Sequence, residues 1–105
     1  LALALINLIT NAFEAMQHRE RPYLSLNVEM QNDHLLILLQ DNGKGMSEEV
    51  SEKLFDAFFS ARKGGMGLGM TTVKNIVKGH QGSITVRSQE EIGTTFEIFL
   101  PKLEQ

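Results

Sequence analysis

Residues 7–16 read NLITNAFEAM, inside an opening run from Leu1 to about Gln17 that is mostly Leu, Ile, Ala, Phe and Met. That mixture forms helices readily, and the run ends in HRERP (18–22), where Pro22 forbids continuation. At about 100° per residue, Asn7, Asn11 and Glu14 fall within roughly 60° of one another, with Thr10 beside them. The remaining circumference is apolar or alanine, as in a helix buried on most sides. A buried amide without a partner costs about 1–3 kcal/mol, so the polar line must meet water and loops, or else a polar ligand. Amide oxygens so placed suit a hard cation such as Mg2+. The helix alone leaves both readings open.

Beyond the helix, YLSLNVEM (23–30) alternates, with Leu24, Leu26, Val28 and Met30 on one face and Ser25, Asn27 and Glu29 on the other. That pattern predicts a half-buried strand. QNDH (31–34) is a turn, and LLILLQ (35–40) is an apolar run of strand length, so the two should form a hairpin. SEEVSEKLF (47–55) reads as a short helix with Ser47 as N-cap and Glu48 and Glu49 in its first turn. DAFFSARKGGMGLG (56–69) is glycine-rich and irregular, and MTTVKNIVKGH (70–80) is helical again. SITVRS (83–88) and TTFEIFLP (94–101) are two further alternating strands, split by QEEIG. This order predicts an α+β fold, a two-layer sandwich with one sheet covered on one face by helices.

The 105 residues make one domain, and 42% apolar content supports a core. A formal charge of −3 argues against nucleic acid or an anionic membrane as the main partner. With no cysteine, disulfides and thiolate metal sites are excluded. Leu1 already lies within the helical pattern and has no cap before it, so the chain is expected to be a piece of a longer protein, cut upstream of a helix.

Three glycine-bearing segments carry candidate chemistry. In DNGKG (41–45), Asp41 ends a buried strand, and Gly43 and Gly45 let the backbone bend close to a neighbour. A carboxylate there can accept a hydrogen bond from an exocyclic amine, selecting adenine over guanine, although Asp-Asn-Gly is also ordinary turn chemistry. GGMGLGM (64–70) opens a helix, so Gly67 and Gly69 can form a nest of N–H groups for phosphate oxygens, or simply a flexible loop. Neither the dinucleotide fingerprint nor the P-loop pattern fits this segment. Between them, Arg62 and Lys63 are the nearest cations and could reach a terminal phosphate, or could form an exposed basic loop. Phe55, Phe58 and Phe59 stand at the spacing of core or hinge anchors.

Together these segments resemble the ATP-binding catalytic domain of sensor histidine kinases, in the superfamily shared with gyrase, heat-shock chaperone and mismatch-repair ATPases. NLITNAFEAM is similar to the N box, DNGKGM to the first glycine box, LFDAFF to the phenylalanine box, GGMGLGM to the second glycine box and GTTFEIFLP to the closing strand. The resemblance covers nearly the whole chain. It implies a Bergerat-type fold with a mixed sheet that lacks its first strand. It implies ATP and Mg2+ as cofactors, with Asn11 as the metal ligand and Asn7 supporting metal and phosphates. Asp41 would bind the adenine amine, Gly43 and Gly45 would shape the loop, and Met46 would pack on the base. Gly65, Gly67, Leu68 and Gly69 would meet the phosphates, residues 56–66 would form a short lid, and Thr94 or Thr95 would assist at the adenine.

Two departures bear on mechanism. Hydrolysing relatives carry a glutamate base where this chain has Asn7, so the resemblance implies slow intrinsic hydrolysis. Many histidine kinases place a lysine or arginine where Glu14 stands, so phosphate charge must be met by Mg2+ and by Arg62 or Lys63. None of His18, His34 and His80 is followed by an acidic residue, as the family's acceptor usually is. The acceptor would therefore lie on an upstream dimerisation domain of a homodimeric parent, with a response-regulator receiver domain as partner. The domain itself would be cytoplasmic, with any inner-membrane anchor in segments outside this chain. A serine kinase of the anti-sigma type, and a degenerate docking module that no longer binds ATP, are the competing readings.

Overall fold

The computed structural model describes residues 1–55 and 66–101, and for 66–68 the backbone alone. Helix α1 (Ala2–Ala15) is followed by the hairpin β1 (Leu24–Gln31) and β2 (His34–Asp41). Then come the short α2 (Glu48–Lys53), α3 (Met66–Gly79), β3 (Ser83–Gln89) and β4 (Gly93–Pro101). The hairpin turns at Asn32, whose φ of 52° a short polar side chain tolerates. Ser47 caps α2 as expected, its Oγ accepting from Val50 N at 3.2 Å. Helix α3 starts at Met66, earlier than the expected start at Met70, so Gly67, Leu68 and Gly69 lie in its first turn.

The strands form one sheet in the order β1-β2-β4-β3. Every pairing among the described strands is antiparallel, which corrects the expectation of a mixed sheet. β3 lies at the edge opposite β1, and β4 returns into the gap between β2 and β3, opposed to both.

One face of the sheet carries Ile37, Leu39, Phe96 and Ile98, all buried. Onto it α1 presses Ala4, Leu8 and Ala12, spaced one turn apart, and α3 presses Met70, Val73 and Val77. Leu8, Val73 and Val77 are fully excluded from solvent.

The alternation expected of β1 is present, with Leu26 opposite Leu39 and Val28 opposite Ile37 on the helix-facing side. Its burial is not. Leu26 is 47% exposed, Val28 58% and Met30 69%, because the helices do not cover this edge of the sheet. Burial of an edge strand depends on what lies above it, which alternation cannot report.

Candidate functional site

The register of the sheet lines up three polar residues at one end of its helix-facing side. Asp41 closes β2 opposite Thr94 of β4, and Thr94 lies opposite Ser88 of β3. One pair further along, the same rows hold Leu39, Phe96 and Val86. The apolar core therefore stops at this polar row, and a cavity of about 280 Å³ opens beside it. Asn11, Ala12 and Ala15 of α1, Gly45 and Met46 of the following loop, Met70 of α3 and Thr94 line it, with Asp41 at its wall.

Asp41 is 7% exposed. Its Oδ1 accepts from the backbone N–H of Gly43 at 2.7 Å. Loss of solvent pushes its carboxyl above the ordinary 3.8, and the N–H groups of Gly43 and Thr94 pull back only part of that rise. Next to it, the Thr94 and Ser88 hydroxyls are 2.8 Å apart. Ser88 Oγ also accepts from Met46 N at 2.8 Å, pinning the loop to the sheet. Sequence reasoning missed Ser88. Its signal was a polar residue continuing the inward row of Ile84 and Val86.

The loop after β2 is held closely. Lys44 N donates to Ala15 O at 2.9 Å, and Glu91 N donates to Lys44 O at 2.6 Å. Asn42 turns outward to accept from Tyr23 N at 2.8 Å, and so serves the turn rather than the cavity. Gly43 lies against α1, where a Cβ would stand 2.7 Å from the Ala15 backbone. Gly45 has φ of 68°, and a Cβ there would collide with the Gln89 carbonyl.

Of the polar line on α1, Asn11 reaches the cavity. Its Nδ2 lies 3.8 Å from the Met70 sulfur, which brings the amide beside the first turn of α3. The N–H groups of that turn, those of Gly67, Leu68 and Gly69 among them, have no partner within the helix. Asn7, one turn earlier, is half-buried and does not line the cavity. Of the two threonine candidates, Thr95 lies away from the cavity. It pairs with Gln40 and projects from the opposite face of the sheet, because neighbouring strand residues alternate sides. Arg62, Lys63 and Gly65 lie outside the described residues.

Among the described residues no three His, Cys, Asp or Glu side chains group as a metal cage. Mg2+ rarely needs one, since it takes most of its oxygens from water and phosphates and one or two from protein. One amide oxygen at the cavity, flanked by a helix N-terminus suited to anions, fits a metal carried in with a polyphosphate.

The chain is similar over most of its length to known proteins. Residues 1–104 match the model of the "Histidine kinase-, DNA gyrase B-, and HSP90-like ATPase" family. Sporulation kinase E of Bacillus subtilis is 38% identical over 96 residues, spanning 91% of this chain and 13% of the kinase. A probable C4-dicarboxylate sensor kinase of Halalkalibacterium halodurans is 40% identical over 99 residues, spanning 91% of this chain and 19% of that protein. The chain thus spans less than a quarter of these relatives. The nucleotide-free catalytic domain of histidine kinase ThkA superposes with a TM-score of 0.79 at 31% identity, covering 94% of this chain and 64% of that one. The mycobacterial sensor histidine kinase MprB shares the fold, with a TM-score of 0.81 at 23% identity, covering 98% of this chain and 72% of that one.

Proposed function

The chain belongs to the family of histidine kinase-, DNA gyrase B- and HSP90-like ATPases, and we propose that it is the ATP-binding catalytic domain of a two-component sensor histidine kinase. Its substrate is ATP, and its product is a phosphohistidine on a separate dimerisation domain. The observation that carries this reading is the convergence on one cavity of a buried carboxylate, Asp41, and an amide, Asn11, set beside the first turn of α3.

In this reading Asp41 accepts from the exocyclic amine of adenine, and Met46 packs on the base above the floor made by Thr94. Gly43 and Gly45 shape the loop around it. Backbone N–H groups of Gly67, Leu68 and Gly69, with Gly65, Arg62 and Lys63, meet the phosphates. Asn11 would hold Mg2+, which supplies charge neutralisation at the phosphate oxygens. Asn7, one turn earlier, would support the metal and the phosphates. An amide takes no proton at neutral pH, so Asn7 cannot activate water and ATP is retained for transfer.

In the transfer itself, an imidazole nitrogen of the acceptor attacks the γ-phosphorus, a P–N bond forms, and the bond to the β–γ bridging oxygen breaks. ADP leaves, and the imidazole proton passes to solvent. The chain's contribution is positioning and charge stabilisation, as phosphoryl transfer generally requires. No helix of the described residues is long and apolar enough to cross a membrane. A cytoplasmic domain within a homodimeric parent that signals to a response-regulator receiver domain completes the proposal.

Titration calorimetry with Mg2+ and a non-hydrolysable ATP analogue tests it. Asn11→Asp and Asp41→Asn should each weaken binding by about tenfold or more, and affinity retained within twofold in both ends the assignment. In the whole kinase, an acid-labile phosphate on the product marks histidine as the acceptor. An acid-stable one would favour the anti-sigma type of serine kinase, and a flat titration from folded protein would favour a docking module.

A further inference from the structure

Arg19, just beyond the end of α1, is not used by the nucleotide reading, yet its guanidinium is where three segments meet. Its Nε donates to Asn42 O at 2.8 Å, and its Nη2 donates to Gly43 O at 3.1 Å and to Glu91 O at 2.6 Å. The side chain is 27% exposed. Its ion pair with the Glu91 carboxylate is long, 3.8 Å, and that carboxylate is 75% exposed, so the pair adds little. What Arg19 grips is backbone: two carbonyls of the loop after β2 and one of the β3–β4 turn. The loop and the turn are also joined to each other, through Glu91 N and Lys44 O. Each segment joined in this way lends wall to the cavity, through Ala15, Lys44, Gly45, Glu90 and Glu91.

We propose that Arg19 is a positioning residue for the base-binding end of the site, holding the loop that follows Asp41 and the β3–β4 turn in register with α1. The proposal rests on the nucleotide reading above. The loop has no ladder of its own between Asp41 and α2, so its shape depends on these few bonds. A planar fork with several fixed N–H donors can satisfy carbonyls from two segments at once, whereas a lysine ammonium is a mobile point charge. The signal needed is geometric rather than electrostatic, and Arg19 acts on the base without touching it.

The test compares Arg19→Lys, Arg19→Gln and Glu91→Gln with the wild-type 105-residue chain in two measurements. Hydrogen exchange is followed at the amides of Lys44, Met46, Glu91 and Ile92, against amides of β2 and β4 as internal reference. Affinity is measured for Mg-ATP and for Mg-tripolyphosphate, which lacks the base. Both Arg19 variants should speed exchange at the loop and turn about tenfold with the reference amides unchanged. They should also weaken Mg-ATP about tenfold, the size expected for losing hydrogen bonds to a charged donor, and leave tripolyphosphate unaffected. Glu91→Gln, which removes only the long, exposed ion pair, should leave exchange at the loop and turn as in wild type. Equal acceleration everywhere with both ligands weakened alike would reduce Arg19 to general stability and overturn the proposal, as would a lysine variant that behaves like wild type. A wild-type chain that binds neither ligand overturns the nucleotide reading instead, and the exchange pattern then still decides whether Arg19 holds the loop.

Discussion

Replacing Asp41 by asparagine should separate binding from stability. The carboxylate is 7% exposed, and loss of solvent dominates its environment, so its folded pKa lies above 3.8. The folded state therefore keeps this proton at a pH where the unfolded chain has released it. Stability linked to Asp41 is fully present at low pH and declines as pH rises from about 3.8 through the raised folded value. At neutral pH the buried charge is a cost. Asparagine has nearly the same shape and no charge, and its oxygen can still accept from Gly43 N, as Oδ1 does at 2.7 Å. The ligand-free melting temperature should hold or rise.

Binding should move the other way. With the oxygen committed to Gly43, the asparagine NH2 replaces the second carboxylate oxygen and points a donor at the donor it should recognise. Losing a hydrogen bond to a charged group costs about 1.5–3 kcal/mol, or roughly 10- to 150-fold in Kd. Calorimetry for affinity and thermal unfolding for stability, on one preparation, check both halves. Wild-type affinity should also fall as pH drops from neutral through the raised Asp41 pKa, while the variant stays flat over that range. An Asp41→Asn protein that binds within twofold of wild type, or that loses stability and affinity together, would refute the reasoning.

Asn11→Ala should leave the fold intact but remove the Mg2+ dependence of nucleotide affinity, seen by titrating with and without the metal. Gly43→Ala forces a Cβ to 2.7 Å from the Ala15 backbone and should cost about 1–3 kcal/mol in denaturant unfolding, in the range of overpacked cores. Leu8→Ala empties a site with 0% exposure beneath α1 and should cost about 2–5 kcal/mol, lowering Tm by about 10 °C or more in a domain of this size. Met30→Ser, at a position 69% exposed, should change the stability of this chain by no more than about 0.5 kcal/mol.

Those last two predictions mark where a linear reading of the chain succeeds and where it stops. Leu8 and Met30 are both apolar residues in segments that the sequence assigns to the correct element, and alternation puts Met30 on the correct face of β1. What differs is coverage. Leu8 faces a sheet, whereas Met30 faces the open side of β1, beyond the reach of either helix. The same limit applies at the site. Asp41 and Asn11 were legible because each is a polar residue in an apolar setting, where chemistry must explain the cost of burial. Thr94 and Thr95 are identical in the sequence, and only the register against Asp41 and Gln40 puts one on the cavity side and the other behind it. Arg19 offered no pattern at all. Its role depends on three carbonyls from segments that the chain brings together only once the sheet has closed around β4, and a backbone carbonyl has no residue identity to read. Functional side chains that act on backbone are therefore the class most hidden from sequence. Arg19 belongs to it, and Ser88, gripping Met46 N from β3, half belongs.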